Sequence, residues 1–183
     1  MKVIRTEIPE VLLLEPKVFQ DARGAVFESY NRQAFAEATG VDVDFVQDNH
    51  SRSVKNVIRG LHYQVVRPQG KLIRALRGEI FDVAVDVRRS SPTLGKWVGF
   101  NLSEADRRMA WIPPGFAHGL LALSDQADVL YKMTEFWAPE LERTIAWDDP
   151  HLGVRWPLAG APILSAKDRA GKRFAEAELC DGA

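Results

Sequence analysis

The run Glu79-Ile80-Phe81-Asp82-Val83-Ala84-Val85-Asp86-Val87 alternates with a period of two. Its odd positions from Phe81 to Val87 are apolar, with Asp82 and Asp86 between them. A helix turns about 100° per residue and would scatter those side chains round its axis, whereas an extended strand puts them on one face. The run therefore predicts a half-buried strand. It follows Lys71–Leu76, a second β-rich stretch, across Arg77-Gly78, which reads as a hairpin turn. Lys96–Leu102, Gly115–Leu123, Asp128–Phe136 and Thr144–Trp147 are further strand candidates, separated by loops such as Ser90-Ser91-Pro92-Thr93-Leu94-Gly95. Nearer the start, Ala25–Ser29 and Val43–Gln47 read as strands flanking one short helix, which Asn31 can cap, Phe35 can anchor and Gly40 can end. Many short strands broken by turns predict an all-β jelly-roll sandwich or barrel with a few short peripheral helices.

Composition narrows the partners. A chain of 183 residues with 46% hydrophobic and 27% charged residues fits one globular domain spanning 1–183. Its formal net charge of -1 leaves no bulk field to hold nucleic acid or an anionic membrane. The apolar run Val11–Leu14 is too short for a secretory signal, and the uncharged stretch Met109–Ser124 is broken by Pro113, Pro114 and Gly115. The single cysteine, Cys180, cannot form an internal disulfide, so a cytoplasmic protein is expected. The segment Ser165–Cys180 is polar with weak helical character, and residues from about 169 to 183 read as a tail.

Of the 4 histidines, two stand in informative company. His62 lies in Arg59-Gly60-Leu61-His62-Tyr63-Gln64, and His118 closes Pro113-Pro114-Gly115-Phe116-Ala117-His118. Each alone is also compatible with a buried histidine satisfied by a hydrogen bond. Lys71 after Gly70 also reads as a solvated strand-end charge, Tyr131 as a core aromatic, and Asp168 as a helix N-cap following Ser165. Two histidines inside one β-barrel sequence favour a cavity site.

These motifs occur together with Leu14-Glu15-Pro16-Lys17-Val18-Phe19, Asp21-Ala22-Arg23-Gly24, Phe27-Glu28-Ser29-Tyr30 and Phe45-Val46-Gln47-Asp48-Asn49-His50-Ser51. Further on stand Ser91-Pro92-Thr93, Leu130-Tyr131-Lys132, Trp147-Asp148-Asp149-Pro150 and Leu164-Ser165-Ala166-Lys167-Asp168. In this order and spacing, over nearly the whole chain, the sequence resembles the dTDP-4-dehydrorhamnose 3,5-epimerase family, enzymes of cupin-type jelly-roll fold. The resemblance implies an isomerase of dTDP-rhamnose biosynthesis that inverts C3 and C5 of a dTDP-linked 4-keto sugar through an enolate, with no cofactor and no metal.

By that resemblance His62 is the base, Asp168 accepts the Nδ1 proton and orients it, Tyr131 is the acid on the other face, and Lys71 steadies charge growing on O4. A neutral imidazole, of reference pKa ~6.5, cannot deprotonate carbon unaided, which is why the last three groups are needed. Arg23 and Arg59 match positions that hold the diphosphate. Glu28, Gln47, Asn49, His118, Glu142 and Lys167 match the nucleotide and sugar pocket. Trp137 stands where many members carry a tyrosine on which thymine stacks; the exchange keeps a π-face and loses a hydroxyl. The resemblance also implies a homodimer, with an N-terminal arm of about residues 1–30 in the contact.

Three alternatives remain open at this level. Metal-binding cupins use an H-x-H pair, a glutamate and a later histidine, but here the first motif reads His62-Tyr63-Gln64, leaving Glu79 and His118 to complete a set that lacks a ligand. A sugar-binding module would need the arginines and the aromatic platform but no base, orienting carboxylate or acid. Inversion of one centre only, on a related keto sugar, depends on pocket shape, which the sequence does not reveal.

Overall fold

Two antiparallel sheets face each other across an apolar interior. In the computed structural model, which describes residues 1–181, the chain runs β1 (Lys2–Arg5), β2 (Leu12–Glu15), β3 (Val18–Asp21), β4 (Gly24–Phe27) and α1 (Arg32–Thr39). It continues through β5 (Gln47–Val54), β6 (Ile58–Gln64), β7 (Lys71–Arg77), β8 (Glu79–Asp86), β9 (Trp97–Ser103) and β10 (Met109–Ile112). The last elements are β11 (Phe116–Ala122), β12 (Gln126–Met133), β13 (Glu142–Thr144) and α2 (Ala166–Arg169). The larger sheet has the order β1-β2-β10-β7-β12-β5 and the smaller β13-β6-β11-β8-β9, while β3 and β4 form a separate ribbon. This is the jelly-roll sandwich expected from the strand pattern, of the cupin type that the resemblance implies.

Apolar side chains fill three layers. Between the sheets, Ile73, Ala75 and Val129 of the larger sheet meet Ile80, Ala84 and Leu120 of the smaller. On the outer face of the larger sheet, Leu12, Leu14, Leu72 and Trp111 are covered by Phe35 of α1. That helix forms as its local signals predict: the Asn31 side chain accepts a hydrogen bond from the Ala34 N–H, and Gly40 ends it in a left-handed conformation at φ 74°. On the outer face of the smaller sheet, Val83, Val85 and Ala117 lie beneath Ile145, Trp156, Phe174 and Cys180.

Several expectations are corrected. Arg77-Gly78 is not a hairpin: β7 pairs with β10 and β12, and β8 with β11 and β9, so the chain changes sheets at Gly78. Strand β8 is not half-buried but covered on both sides, because the chain after β13 lies over its outer face; Asp82 and Asp86 are fully enclosed. Val43–Gln47 is not a strand, since the strand there, β5, starts only at its last residue and runs on to Val54, and Thr144–Trp147 ends as a strand at Thr144. Residues 2–15 belong to the larger sheet through β1 and β2, so only the β3–β4 ribbon stands apart as an arm. The polar tail is held down as well: Lys172 bridges Ile145, Cys180 bridges Arg88, and the Tyr63 hydroxyl donates to the Glu178 carbonyl at 2.7 Å. Among the described residues no helix is long and apolar enough to cross a membrane.

Candidate active site

One cavity of about 470 Å³ opens between the sheets. Its walls carry Gln47, Asn49, Arg59, His62, Lys71, His118, Tyr131, Trp137, Glu142, Lys167 and Asp168. The fold thus assembles eleven of the thirteen residues singled out in the sequence. Strand alternation explains how. Gln47, Asn49 and Ser51 of β5 share the cavity-facing side, and Asp48 turns away to pair with Lys132 at 2.9 Å. His62 and His118 face each other in register across β6 and β11. The two strands approach closely there: a Cβ on Gly60, which has φ +121°, would meet the Gly119 Cα and the His118 carbonyl oxygen at 2.6 Å.

His62 Nε2 lies 2.6 Å from Asp168 Oδ1. The sequence expectation placed this bond on Nδ1. Asp168 is instead reached by the ring nitrogen farther from the backbone, leaving Nδ1 as the basic nitrogen. Asp168 is itself fixed by the Ser165 hydroxyl, which donates to Oδ2 at 2.7 Å, and by the Gly60 N–H at 3.4 Å. Burial raises the Asp168 pKa, but the bonds from His62 and Ser165 outweigh it and hold the carboxyl below its ordinary value. Asp168 is not the N-cap of α2; Ser165 is.

Tyr131 and Lys71 come from the opposite wall, while His118 stands beside His62 on the smaller sheet. Tyr131, on β12 of the larger sheet, places its hydroxyl 3.0 Å from Ser51 Oγ, and its pKa is pushed up to about 12 by burial. Lys71, at the start of β7, is 6% exposed, and burial lowers its pKa to about 8. It is a buried cation, not a solvated strand end. His118 Nε2 is 2.8 Å from Asp82 Oδ2, and its ring meets Tyr131 edge-on with centroids 5.9 Å apart. Burial raises the Asp82 pKa, against the opposing pull of His118.

The rim is polar and preassembled. Gln47 Oε1 accepts from the Trp137 N–H at 3.0 Å, presenting a half-exposed indole. Gln64, on the same wall, accepts from the Ala138 N–H at 2.7 Å and steadies the same loop. Glu142 and Lys167 form an ion pair at 2.9 Å. Arg59 is held by Ser53 Oγ at 2.9 Å and the Arg52 carbonyl at 3.0 Å.

Two predicted residues lie outside the cavity. Arg23 is on the β3–β4 ribbon, paired with Asp21 at 2.6 Å with its side chain 90% exposed, and Glu28 accepts from Asn31 Nδ2 at 2.9 Å. The reason is topological: the ribbon that carries Arg23 pairs only with itself in the described residues, and Glu28 follows directly after it. The donor set weighed for a metal is not brought together either. Glu79 lies beyond the cavity along β8 and accepts from Asn101 Nδ2 at 2.7 Å. Sequence reasoning missed Ser51, Tyr63, Gln64, Gln69, Met133 and Ser165 in the wall, and Asp82 behind His118. Ser51, Tyr63, Gln64 and Ser165 stood inside the motifs; Gln69 and Met133 carried no signal.

Known proteins are similar throughout. A family model described as dTDP-4-dehydrorhamnose 3,5-epimerase matches residues 5–176. A protein of that name from Pseudomonas aeruginosa is 61% identical over 178 residues, covering 97% of this chain and 98% of its own. Another, from Salmonella typhimurium, is 55% identical over 182 residues, covering 99% and 100%. The crystal structure of dTDP-6-deoxy-D-glucose-3,5-epimerase from Legionella pneumophila, in complex with dTDP-4-keto-L-rhamnose, matches with a TM-score of 0.96 at 46% identity, over 100% of this chain and 98% of that one.

Proposed function

The chain belongs to the dTDP-4-dehydrorhamnose 3,5-epimerase family, and from that premise we propose how its cavity performs the reaction. The enzyme is an isomerase that converts dTDP-4-dehydro-6-deoxy-D-glucose to dTDP-4-dehydro-L-rhamnose by inverting C3 and C5. Both carbons flank the C4 ketone, so each proton is lost to an enolate. His62 takes the proton on Nδ1 while Asp168 holds Nε2–H and favours the imidazolium that forms. Lys71 faces the oxyanion at O4. With a pKa of about 8 it remains cationic at neutral pH, and its burial strengthens the charge it offers. Tyr131 returns a proton from the other side; a phenol pushed up to about 12 remains protonated until the carbanion claims its proton.

The carrying observation is that His62 and Tyr131 reach one cavity from opposite sheets. An inversion requires this arrangement, and a binding module has no use for it. Trp137 offers its indole face to thymine, and Arg59 and Lys167 supply positive charge for the diphosphate. We also place Arg23 and Glu28 in the substrate site through a homodimer. The β3–β4 ribbon, with Phe19 58% and Val26 73% exposed, is suited to cross to a second copy and set both residues at its cavity. A cytoplasmic location fits a chain whose one cysteine is buried and unpaired.

Incubation with dTDP-4-dehydro-6-deoxy-D-glucose in deuterium oxide, read by NMR, tests the activity. Deuterium at both C3 and C5 is expected. Label at one carbon would make the enzyme a mono-epimerase, and label at neither would reject the reading.

A further inference from the structure

Inversion of two centres poses a proton problem that one base and one acid do not solve. At each centre a C–H bond breaks, its proton goes to His62 Nδ1 and its electron pair enters the enolate. A new C–H bond then forms with the phenolic proton of Tyr131, leaving a phenolate. After one inversion His62 holds a proton too many and Tyr131 lacks one. The second inversion cannot begin until the imidazole has given a proton to water and the phenolate has gained one.

Ser51 stands where that proton must arrive. Its Oγ is 3.0 Å from the Tyr131 hydroxyl, which has no other hydrogen-bond partner among the described residues. The contact follows from register. Tyr131 is directly opposite Asn49, so Ser51 is its diagonal neighbour on the cavity side of β5. Strand β5 is the edge of the larger sheet, and Ser51 is half-buried in the cavity wall. Of the other polar neighbours of Tyr131, His118 meets its ring edge-on and commits Nε2 to Asp82, and Arg59 commits its guanidinium to Ser53 and the Arg52 carbonyl. A serine hydroxyl both donates and accepts, so it can hand its proton to the phenolate while taking one from cavity water, with no net change in itself.

Resting on the assignment of Tyr131 as the acid, we propose that Ser51 is a positioning residue that relays a proton to Tyr131 between the two inversions, setting whether a bound sugar is inverted once or twice. Burial supports the need for it: a phenol whose pKa stands at about 12 leaves a phenolate deep in the wall, opposed first by the Ser51 bond and then by the Arg59 charge.

Ser51→Thr and Ser51→Val test the relay, because the two side chains share a shape and differ in the hydroxyl. Products formed from dTDP-4-dehydro-6-deoxy-D-glucose are separated by NMR into singly and doubly inverted sugars. Ser51→Thr should keep the wild-type ratio. Ser51→Val should release several-fold more singly inverted sugar. Should the valine variant fail a thermal-melting check, Ser51→Ala carries the same expectation. A hydroxyl-free variant that slows both inversions equally, leaving the ratio unchanged, would overturn the relay. Tyr131→Phe separates this failure from that of the parent reading. If it still makes inverted sugar the acid assignment falls, whereas if it makes none and the Ser51 ratio is unmoved, only the relay falls.

Discussion

Lys71 shows how a single side chain couples chemistry to stability. The folded protein holds it at a pKa of about 8, below its ordinary value, because burial penalises the ammonium. The unfolded chain therefore binds more protons between about pH 8 and ~10.4, so this residue makes stability rise with pH over that window. At pH 7 it is charged in both states, and the fold carries the cost of desolvating it. Lys71→Met, of similar length, is expected to raise unfolding stability at pH 7 by about 1–3 kcal/mol, measured in urea. It should also lower kcat on the order of 10²–10³-fold, as loss of an oxyanion stabiliser does. Unchanged stability would mean that the ammonium is not desolvated. Asp168 works in the opposite sense. Its folded pKa is depressed, so it stabilises above the unfolded carboxylate value and the gain is lost as pH falls. No local pattern disclosed this pair: His62 and Asp168 are 106 positions apart, and only family resemblance joined them before the fold did.

At the scale of elements, the β6–β11 seam holds the two histidines in register, and Gly60 permits its closeness. Gly60→Ala would drive a methyl into the backbone of Gly119 and His118, whereas at Gly40, of φ +74°, a Cβ meets nothing within 4 Å. Gly40→Ala should cost about 1–2 kcal/mol, the penalty of a left-handed alanine. Gly60→Ala should lower the melting temperature further and cut activity with it. Equal melting shifts would show that the seam can yield. Helix α1 was legible because its cap, its buried Phe35 and its glycine stop are signals within one short stretch. Strand pairing was not, because partners lie far apart in the chain. Arg77-Gly78 looks locally like a hairpin and instead turns a corner between sheets. The alternation in β8 fixed which residues share a face but not what covers the other, since Phe174 and Cys180 arrive from much later. Strand β5 escaped notice as a strand because it is polar on both sides, one facing the cavity and one facing solvent.

Taken whole, the molecule is two sheets that bring opposed chemistry to a shared space. Eleven predicted site residues meet there, while Arg23 remains on the ribbon and Glu28 just after it. The proposed homodimer would bring them to a second copy's cavity. Sedimentation of the full-length enzyme should give twice the monomer mass, and Phe19→Asp should weaken the dimer and raise KM together. A monomer of full activity would remove both residues from the site. The central claim, that His62 and Tyr131 act on opposite faces of one bound ketone, is tested most directly by Tyr131→Phe incubated with the keto sugar in deuterium oxide. Deuterium should still enter C3 and C5 through His62 while inverted product disappears, and adding His62→Ala should abolish the exchange as well. Exchange and inversion falling together in Tyr131→Phe would contradict the account.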